Sequence, residues 1–325
     1  MSPRRAFGQS VTALLDERAD LALVWAEIGG QFFGEAVARH PERVVNVGIR
    51  EQLLVSAAAG MALTGMRPMA HTFSAFLVER AFEQIKLDFG HQGVGGVLVG
   101  TGGSFDAAVA GRTHQSPGDV ALMDTLDVTI HAPSTDAEVE AVLRVAAAAD
   151  GLHYVRLADS LVNSQSFPPG GFHLVRRGVG PVLVVFGHLL DAALAAAEDT
   201  DATVLYATQV VPFDADGLRA ALPDSGSGTG SGSRSGGGSG GGSGSVDVVL
   251  VEPWAAGTSA RHIAEALIDR PHRLLCLGVG RAEIHRYGTP AEHVAHHGLD
   301  ASGIRAAIER FARAAGSAAL GSPAA

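Results

Sequence analysis

Short apolar runs that end at glycine or at a polar turn alternate along this chain with stretches whose apolar residues fall at helical spacing. No other feature of the sequence constrains the fold as much. GQSVTALLDER carries the helical spacing, and LALVWAEIGG follows as an apolar run closed by two glycines. A run of that kind reads as a parallel strand buried on both faces. The order continues with RVVNVGI as strand, EQLLVSAAAGMALTG as a small-residue helix, RPMAHTFS as strand and turn, and FLVERAFEQIKLDFG as helix. VGGVLVG, DVTIHAP and LHYVRLA read as further strands, and AEVEAVLRVAAAA as a helix opened by the cap-like Ser134-Thr135-Asp136. Strands and helices that alternate at these lengths imply a parallel sheet covered on both faces.

After a break at Pro168 to Gly171 the alternation resumes in PVLVVFGHLLDAALAAAED, ATVLYATQVVPFD, DVVLVEPW, SARHIAEALID and HRLLCLGVG. The fold class is therefore α/β, two tandem three-layer domains with mainly parallel sheets, over residues 1–169 and 170–325. Residues 225–245 inside the second unit are almost pure Gly and Ser. Such a composition has no apolar surface to offset its backbone entropy and predicts a flexible loop rather than a boundary. VLYATQVV and VDVVLVE on its two sides then belong to one sheet. Doubling a loop costs only about 0.6 kcal/mol, so the insertion is tolerable.

Composition narrows the function. With 46% hydrophobic residues in 325, both units can bury cores of ordinary size. The balance of 24 Lys+Arg against 34 Asp+Glu gives a net charge of −10, which argues against nucleic acid and against a polybasic membrane contact. Any anionic substrate must meet local arginines. Cys276, the single cysteine, sits in LLCLGVG and reads as a small buried hydrophobe, with no disulfide framework and no CxxC metal pair. The opening MSPRRAFGQSVTALLDE is amphipathic without a signal peptide's apolar centre, and no apolar run reaches about 18 residues, so the cytoplasm is the expected location.

Three segments carry the chemistry. Asn46-Val47-Gly48-Ile49-Arg50-Glu51-Gln52 reads as a strand end, a glycine turn and a helix start with a carboxylate in its first turn. Alone, Glu51 would be a capping acid at a positive helix end. His71-Thr72-Phe73-Ser74-Ala75-Phe76 then sets two aromatics three apart, and Gly111-Arg112-Thr113-His114-Gln115 lies in a polar loop. Alone, the phenylalanines would be core and the histidine solvated.

In their order GIREQ, TFxxF and GxTHQ, followed by APSTDAEVEAVL and a YxR strand, the chain resembles the thiamine-diphosphate-dependent transketolase family. GTPAEHVAHHGLDASGI is similar to the end of that family's C-terminal domain. The resemblance spans nearly all of the chain except the Gly/Ser insertion. It implies that Glu51 hydrogen-bonds N1′ of the cofactor's aminopyrimidine, sharing the proton that prepares the thiazolium C2 for deprotonation. It also implies that Phe73 and Phe76, with Ile49, pack on the pyrimidine. A stacking contact of this kind contributes about 0.5 to 1.5 kcal/mol beyond burial. His114 takes the role of a catalytic, substrate-facing histidine able to handle a proton near neutral pH. Gln115 and Arg156 fall among the substrate contacts, Arg156 where the family places an anion-binding arginine, and Arg4 or Arg5 lies near a further phosphate contact.

The departures are equally informative. Ala110 and Gly102 stand where sugar-phosphate transketolases carry an aspartate and a histidine, and Trp25 replaces a phosphate-contacting serine, with Glu27 where an aspartate is usual. Three polar-to-apolar changes point to a different ketose or a 2-oxo acid as substrate. No GDG motif occurs in the chain. In the family that motif holds Mg²⁺ and the diphosphate, so the expected partner is a separate N-terminal transketolase subunit that holds both, in an α2β2 heterotetramer. The chain itself supplies no metal ligand. Two other readings stay open: a β subunit of a 2-oxo acid dehydrogenase, and a non-catalytic scaffold that kept the fold.

Overall fold

A computed structural model describes residues 3–158, 162–223, 245–282 and 285–319. The first unit begins with α1 (Pro3–Glu17), β1 (Leu21–Trp25), α2 (Gly30–Arg39), β2 (Val44–Asn46), α3 (Glu51–Leu63) and β3 (Arg67–Phe73). Two π-helical turns, Ala75–Arg80 and Ile85–His91, flank the short α4 (Phe82–Gln84). Then come β4 (Gly96–Thr101), α5 (Asp119–Met123), β5 (Thr129–His131), α6 (Asp136–Ala148) and β6 (Leu152–Leu157). The second unit runs β7 (His173–Arg176), β8 (Val182–Phe186), α7 (Leu190–Thr200), β9 (Thr203–Ala207), β10 (Gln209–Val211), α8 (Ala215–Ala221), β11 (Val246–Ala255), α9 (Ala260–Ala266), β12 (His272–Val279), α10 (Pro290–His296) and α11 (Ala301–Ala319).

The alternation in sequence is thus an alternation in structure, and two mainly parallel sheets result. The larger has the order β10-β5-β6-β4-β3-β1-β2, and the smaller β12-β11-β8-β9-β7. Only β10 on β5 and β7 on β9 run antiparallel. The apolar runs lie where both faces are covered: every residue of β1, β4 and β6 is buried. Helices α1, α2 and α6 pack together on one face, with Phe7, Phe33 and Leu143 in that core. The other face carries α3, the π-helical turns and α5, and its core continues through Phe186 and Trp254 into the second unit. The cap read at 134–136 is a full capping box in which Thr135 and Glu138 exchange hydrogen bonds at the start of α6.

Three expectations need correction. VLYATQVV is not one strand: the chain turns at Thr208, whose carbonyl accepts from Ala132 N at 2.7 Å, and β10 crosses to the edge of the first sheet. β9 does share a sheet with β11, as read. FLVERAFEQIKLDFG is helical but largely π-helical. Cys276 is only half-buried, because β12 is an edge strand. The Gly/Ser run lies outside the described residues apart from Ser245.

Connections from β1 through α2 to β2, and from β2 through α3 back across β1 to β3, leave the sheet on opposite faces. The strand order therefore reverses beside β1. The crevice at the carboxyl ends of β1 and β3 is the place where open α/β sheets bind ligands.

Candidate functional site

Asn46, the last residue of β2, fixes the local backbone. Its Oδ1 accepts from Glu27 N at 3.2 Å and from Gly48 N at 2.9 Å, and its Nδ2 donates to Glu27 Oε2 at 3.1 Å. The turn that follows needs a left-handed residue and uses Gly48 at φ 71°. Helix α3 then starts with Arg50 as its cap residue and Glu51 in its first turn. Glu51 is 2% exposed. A carboxylate so far from water needs a partner, and Arg80 donates from a guanidinium nitrogen to Oε2 at 2.6 Å. That guanidinium lies 4.1 Å from the centre of the Phe76 ring, within cation–π range.

Phe73 at the end of β3 and Phe76 in the first π-helical turn meet edge to face with centroids 5.9 Å apart. The ring of His114 sits against both, at 5.3 Å and 5.0 Å. Thr113 Oγ1 lies 2.9 Å from its Nδ1. The Arg4 guanidinium is 5.9 Å from the Phe73 ring. Beneath these groups His71 is fully buried, hydrogen-bonded through Nδ1 to Val99 O at 2.9 Å, and burial pushes its imidazole down to about 3. It is a neutral packing group against Phe7 and Phe33.

The structure thus gathers Glu51, Phe73, Phe76 and His114 from three elements and the loop after β4. Ile49, two residues before Glu51, is 71% exposed. Gln115 is buried and turned into a cavity on the other side of its loop. Arg156 does not join the cluster. It is 3% exposed, with Nε on Asp119 Oδ2 at 2.8 Å and an amino nitrogen on Ser104 Oγ at 2.6 Å. Ser104 in turn donates to Pro253 O, and the Arg156 guanidinium lies 5.5 Å from the Trp254 ring. The arginine expected to meet an anion is committed to tying the first unit to the second. Arg80 is the residue that sequence reading passed over; its signal was a cation four positions after Phe76.

Gly102 has φ 71°, and a Cβ there would approach Phe73 Cδ1 to 2.9 Å. The Phe73 ring therefore occupies the space a side chain at 102 would take. Trp25 is 6% exposed and packs on Phe33 at 5.4 Å. Among the described residues no three His, Cys, Asp or Glu side chains gather as a metal site, and no helix is long and apolar enough to cross a membrane.

The chain is thus a doubly wound α/β protein whose switch point carries a buried, arginine-paired carboxylate and a cluster of aromatic rings. Residues 1–165 match the family described as "Transketolase, pyrimidine binding domain". The chain belongs to the transketolase family. It is 40% identical over 314 residues to the "Uncharacterized 33.6 kDa protein in fasciation locus" of Rhodococcoides fascians, covering 94% of this chain and 93% of the relative. It is 32% identical over 196 residues to the "6-deoxy-6-sulfo-D-fructose transketolase subunit SqwH" of Clostridium sp. (strain MSTE9), covering 56% of this chain and 60% of that subunit. Against the named transketolase subunits and synthases of the family, the match spans 30–64% of their length. The fold is that of a solved structure titled "Split gene transketolase, inactive beta4 tetramer", with a TM-score of 0.75 at 24% identity, covering 95% of this chain and 97% of that one.

Proposed function

We propose that this chain is the pyrimidine-binding half of a two-chain transketolase-like transferase that works on a ketose or 2-oxo acid other than the common sugar phosphates. The observation that carries the reading is the Glu51 carboxylate, buried at a helix start and paired with Arg80, whose guanidinium lies over the Phe76 ring that meets Phe73 and His114 edge to face. That set fits an aminopyrimidine: an acceptor for a ring-nitrogen proton, and aromatic faces for the ring. Thiamine diphosphate, the family's cofactor, supplies the carbon nucleophile when bound.

In this reading Glu51 holds the proton at N1′ through the oxygen that Arg80 does not engage. Arg80 orients the carboxylate through its hydrogen bond to Oε2. Phe73 and Phe76 exclude water from the pyrimidine face, and Ile49 flanks it. His114 stands on the same rings toward the substrate and takes or returns a hydroxyl proton, and Gln115 holds the loop that presents it. Arg156 acts on substrate only indirectly, by fixing the Ser104 loop. The diphosphate and Mg²⁺ belong to the partner, an N-terminal transketolase subunit, in an α2β2 assembly. The cytoplasm suits this chemistry.

Ala110, Gly102 and the engaged Arg156 leave the substrate side poor in contacts for a sugar phosphate. Charge-assisted hydrogen bonds contribute about 1.5 to 3 kcal/mol each, so losing two costs roughly 3 to 6 kcal/mol of transition-state binding. With both chains, cofactor and ribose 5-phosphate present, mass spectrometry should find xylulose 5-phosphate and fructose 6-phosphate poor two-carbon donors beside smaller ketones or 2-oxo acids. Efficient turnover of the two sugar phosphates would refute the altered pocket and leave the cofactor assignment standing.

A further inference from the structure

His114 stands on a short turn with few bonds of its own. Arg112–His114 is a single 3₁₀ turn in which His114 N donates to Gly111 O at 3.1 Å, and Thr113 Oγ1 lies 2.9 Å from the ring nitrogen Nδ1. So short a turn is weakly fixed by itself, and what packs on its first residues decides where the imidazole stands. At Gly111 that packing comes from the second unit. A Cβ on Gly111 would fall 2.7 Å from Tyr287 Cε1 and 3.2 Å from its Cδ1. The phenol ring therefore lies directly on the glycine, and only the missing side chain lets it approach.

Tyr287 is presented on a firm base. It precedes α10, which opens with a capping box: Thr289 N donates to Glu292 Oε2 at 2.8 Å, and Glu292 N to Thr289 Oγ1 at 3.3 Å. The helix is anchored in turn on the loop that carries His114. His293, fully buried, stacks on Phe105 at 5.5 Å, and His297, just after the helix, does so at 5.8 Å. The loop between β4 and α5 is thus gripped from the second unit at Phe105 and again at Gly111. The two grips differ in kind. Phe105 is 2% exposed and belongs to a core shared with the second unit, whereas Tyr287 is 68% exposed. Hydrophobic stabilisation follows the area removed from water, so a ring left mostly in water adds little to the fold. What it does hold is the start of the His114 turn.

We propose that Tyr287 is a positioning residue for His114: by packing on Gly111 it fixes the turn so that the imidazole stays on Phe73 and Phe76, and it makes the second unit part of the site. The consequence for turnover rests on the proton-handling role proposed for His114; the packing does not.

The test follows the ring resonances of the full chain ¹⁵N-labelled at histidine, with His114→Asn identifying the His114 signals by their loss. Tyr287→Ala should broaden those signals at least about twofold, through exchange among arrangements of the turn on the μs–ms scale. The signals of buried His71 should stay sharp and the urea unfolding midpoint should not move, as expected for an exposed side chain. Tyr287→Phe keeps the ring on Gly111 and should restore the wild-type line width. Losing a nearby ring current can shift a sharp line without broadening it, so an unbroadened His114 signal in Tyr287→Ala would overturn the proposal. Broadening of His71 as well, or a lower midpoint, would overturn it too, because Tyr287 would then hold the fold rather than the turn. A Tyr287→Phe chain that behaves like Tyr287→Ala has the same force. Failure of the functional reading shows separately: undiminished two-carbon transfer by the assembled enzyme carrying His114→Asn would remove His114 from the chemistry and leave the line widths of the Tyr287 variants as they are.

Discussion

Glu51 and Arg80 form the pair on which the site depends, and they are not equivalent partners. Glu51 is 2% exposed while the Arg80 side chain is 40% exposed, so the carboxylate suffers most when the contact is cut. Glu51→Gln is nearly isosteric. It should keep the fold and lower turnover of the assembled enzyme at least about 100-fold, the scale of positioned acid–base help; near-normal turnover would remove Glu51 from the mechanism. Arg80→Met should destabilise the chain by about 1–3 kcal/mol, the cost of stranding a buried acceptor, and more so than the same change made in a Glu51→Gln background. Urea unfolding of the four proteins measures that difference. Equal costs in both backgrounds would show that the pair is not coupled. Phe73, Phe76 and His114, which the fold brings ring to ring, stand in short ordered motifs that the sequence displays. The place of Arg80 was not legible there, because it depends on a π-helical turn that spacing alone does not reveal.

At the scale of the element, β11 brings another buried carboxylate to the unit boundary. Glu252 is fully buried, with Oε2 accepting from Trp254 Nε1 at 2.6 Å and from Ser259 N at 3.2 Å. Burial outweighs these bonds and pushes its carboxyl up from 4.5 to about 7. Between those two values the folded chain binds a proton that the unfolded chain has released, so stability falls as pH rises through the interval. The Glu252 contribution is fully present below about pH 4.5 and lost above about 7, a change of order 3 kcal/mol. Glu252→Gln removes the titration. Its stability relative to wild type should therefore be higher at pH 8 than at pH 5, as urea unfolding at both values would measure, and an equal difference at the two pH values would contradict the assignment. The strands and most helices were legible because burial on both faces leaves continuous apolar runs. The break at Thr208 was not, because Ala207 and Gln209 continue the strand pattern while their backbones pair with different sheets.

At the scale of the whole molecule, two α/β units share a core, a strand exchanged through β10, and the Asp119–Arg156–Ser104 latch that ends on Pro253. The two mainly parallel sheets flanked by helices were legible from the alternation of apolar runs and helical spacing. The latch was not, because Arg156 sits in a motif that pointed to substrate, and only the tertiary fold sets Asp119 beside it. The sequence contains no GDG motif, and in the proposed function this chain supplies the aminopyrimidine side of the site while a partner chain supplies the diphosphate side. Calorimetric titration of thiamine diphosphate with Mg²⁺ tests this most directly, into the chain alone and into the chain mixed with its N-terminal transketolase partner. The expected result is weak binding to the chain alone and tight, Mg²⁺-dependent binding to the pair that Glu51→Gln weakens. Tight, Mg²⁺-dependent binding to the isolated chain, or tight binding to the pair that Glu51→Gln leaves unchanged, would contradict it.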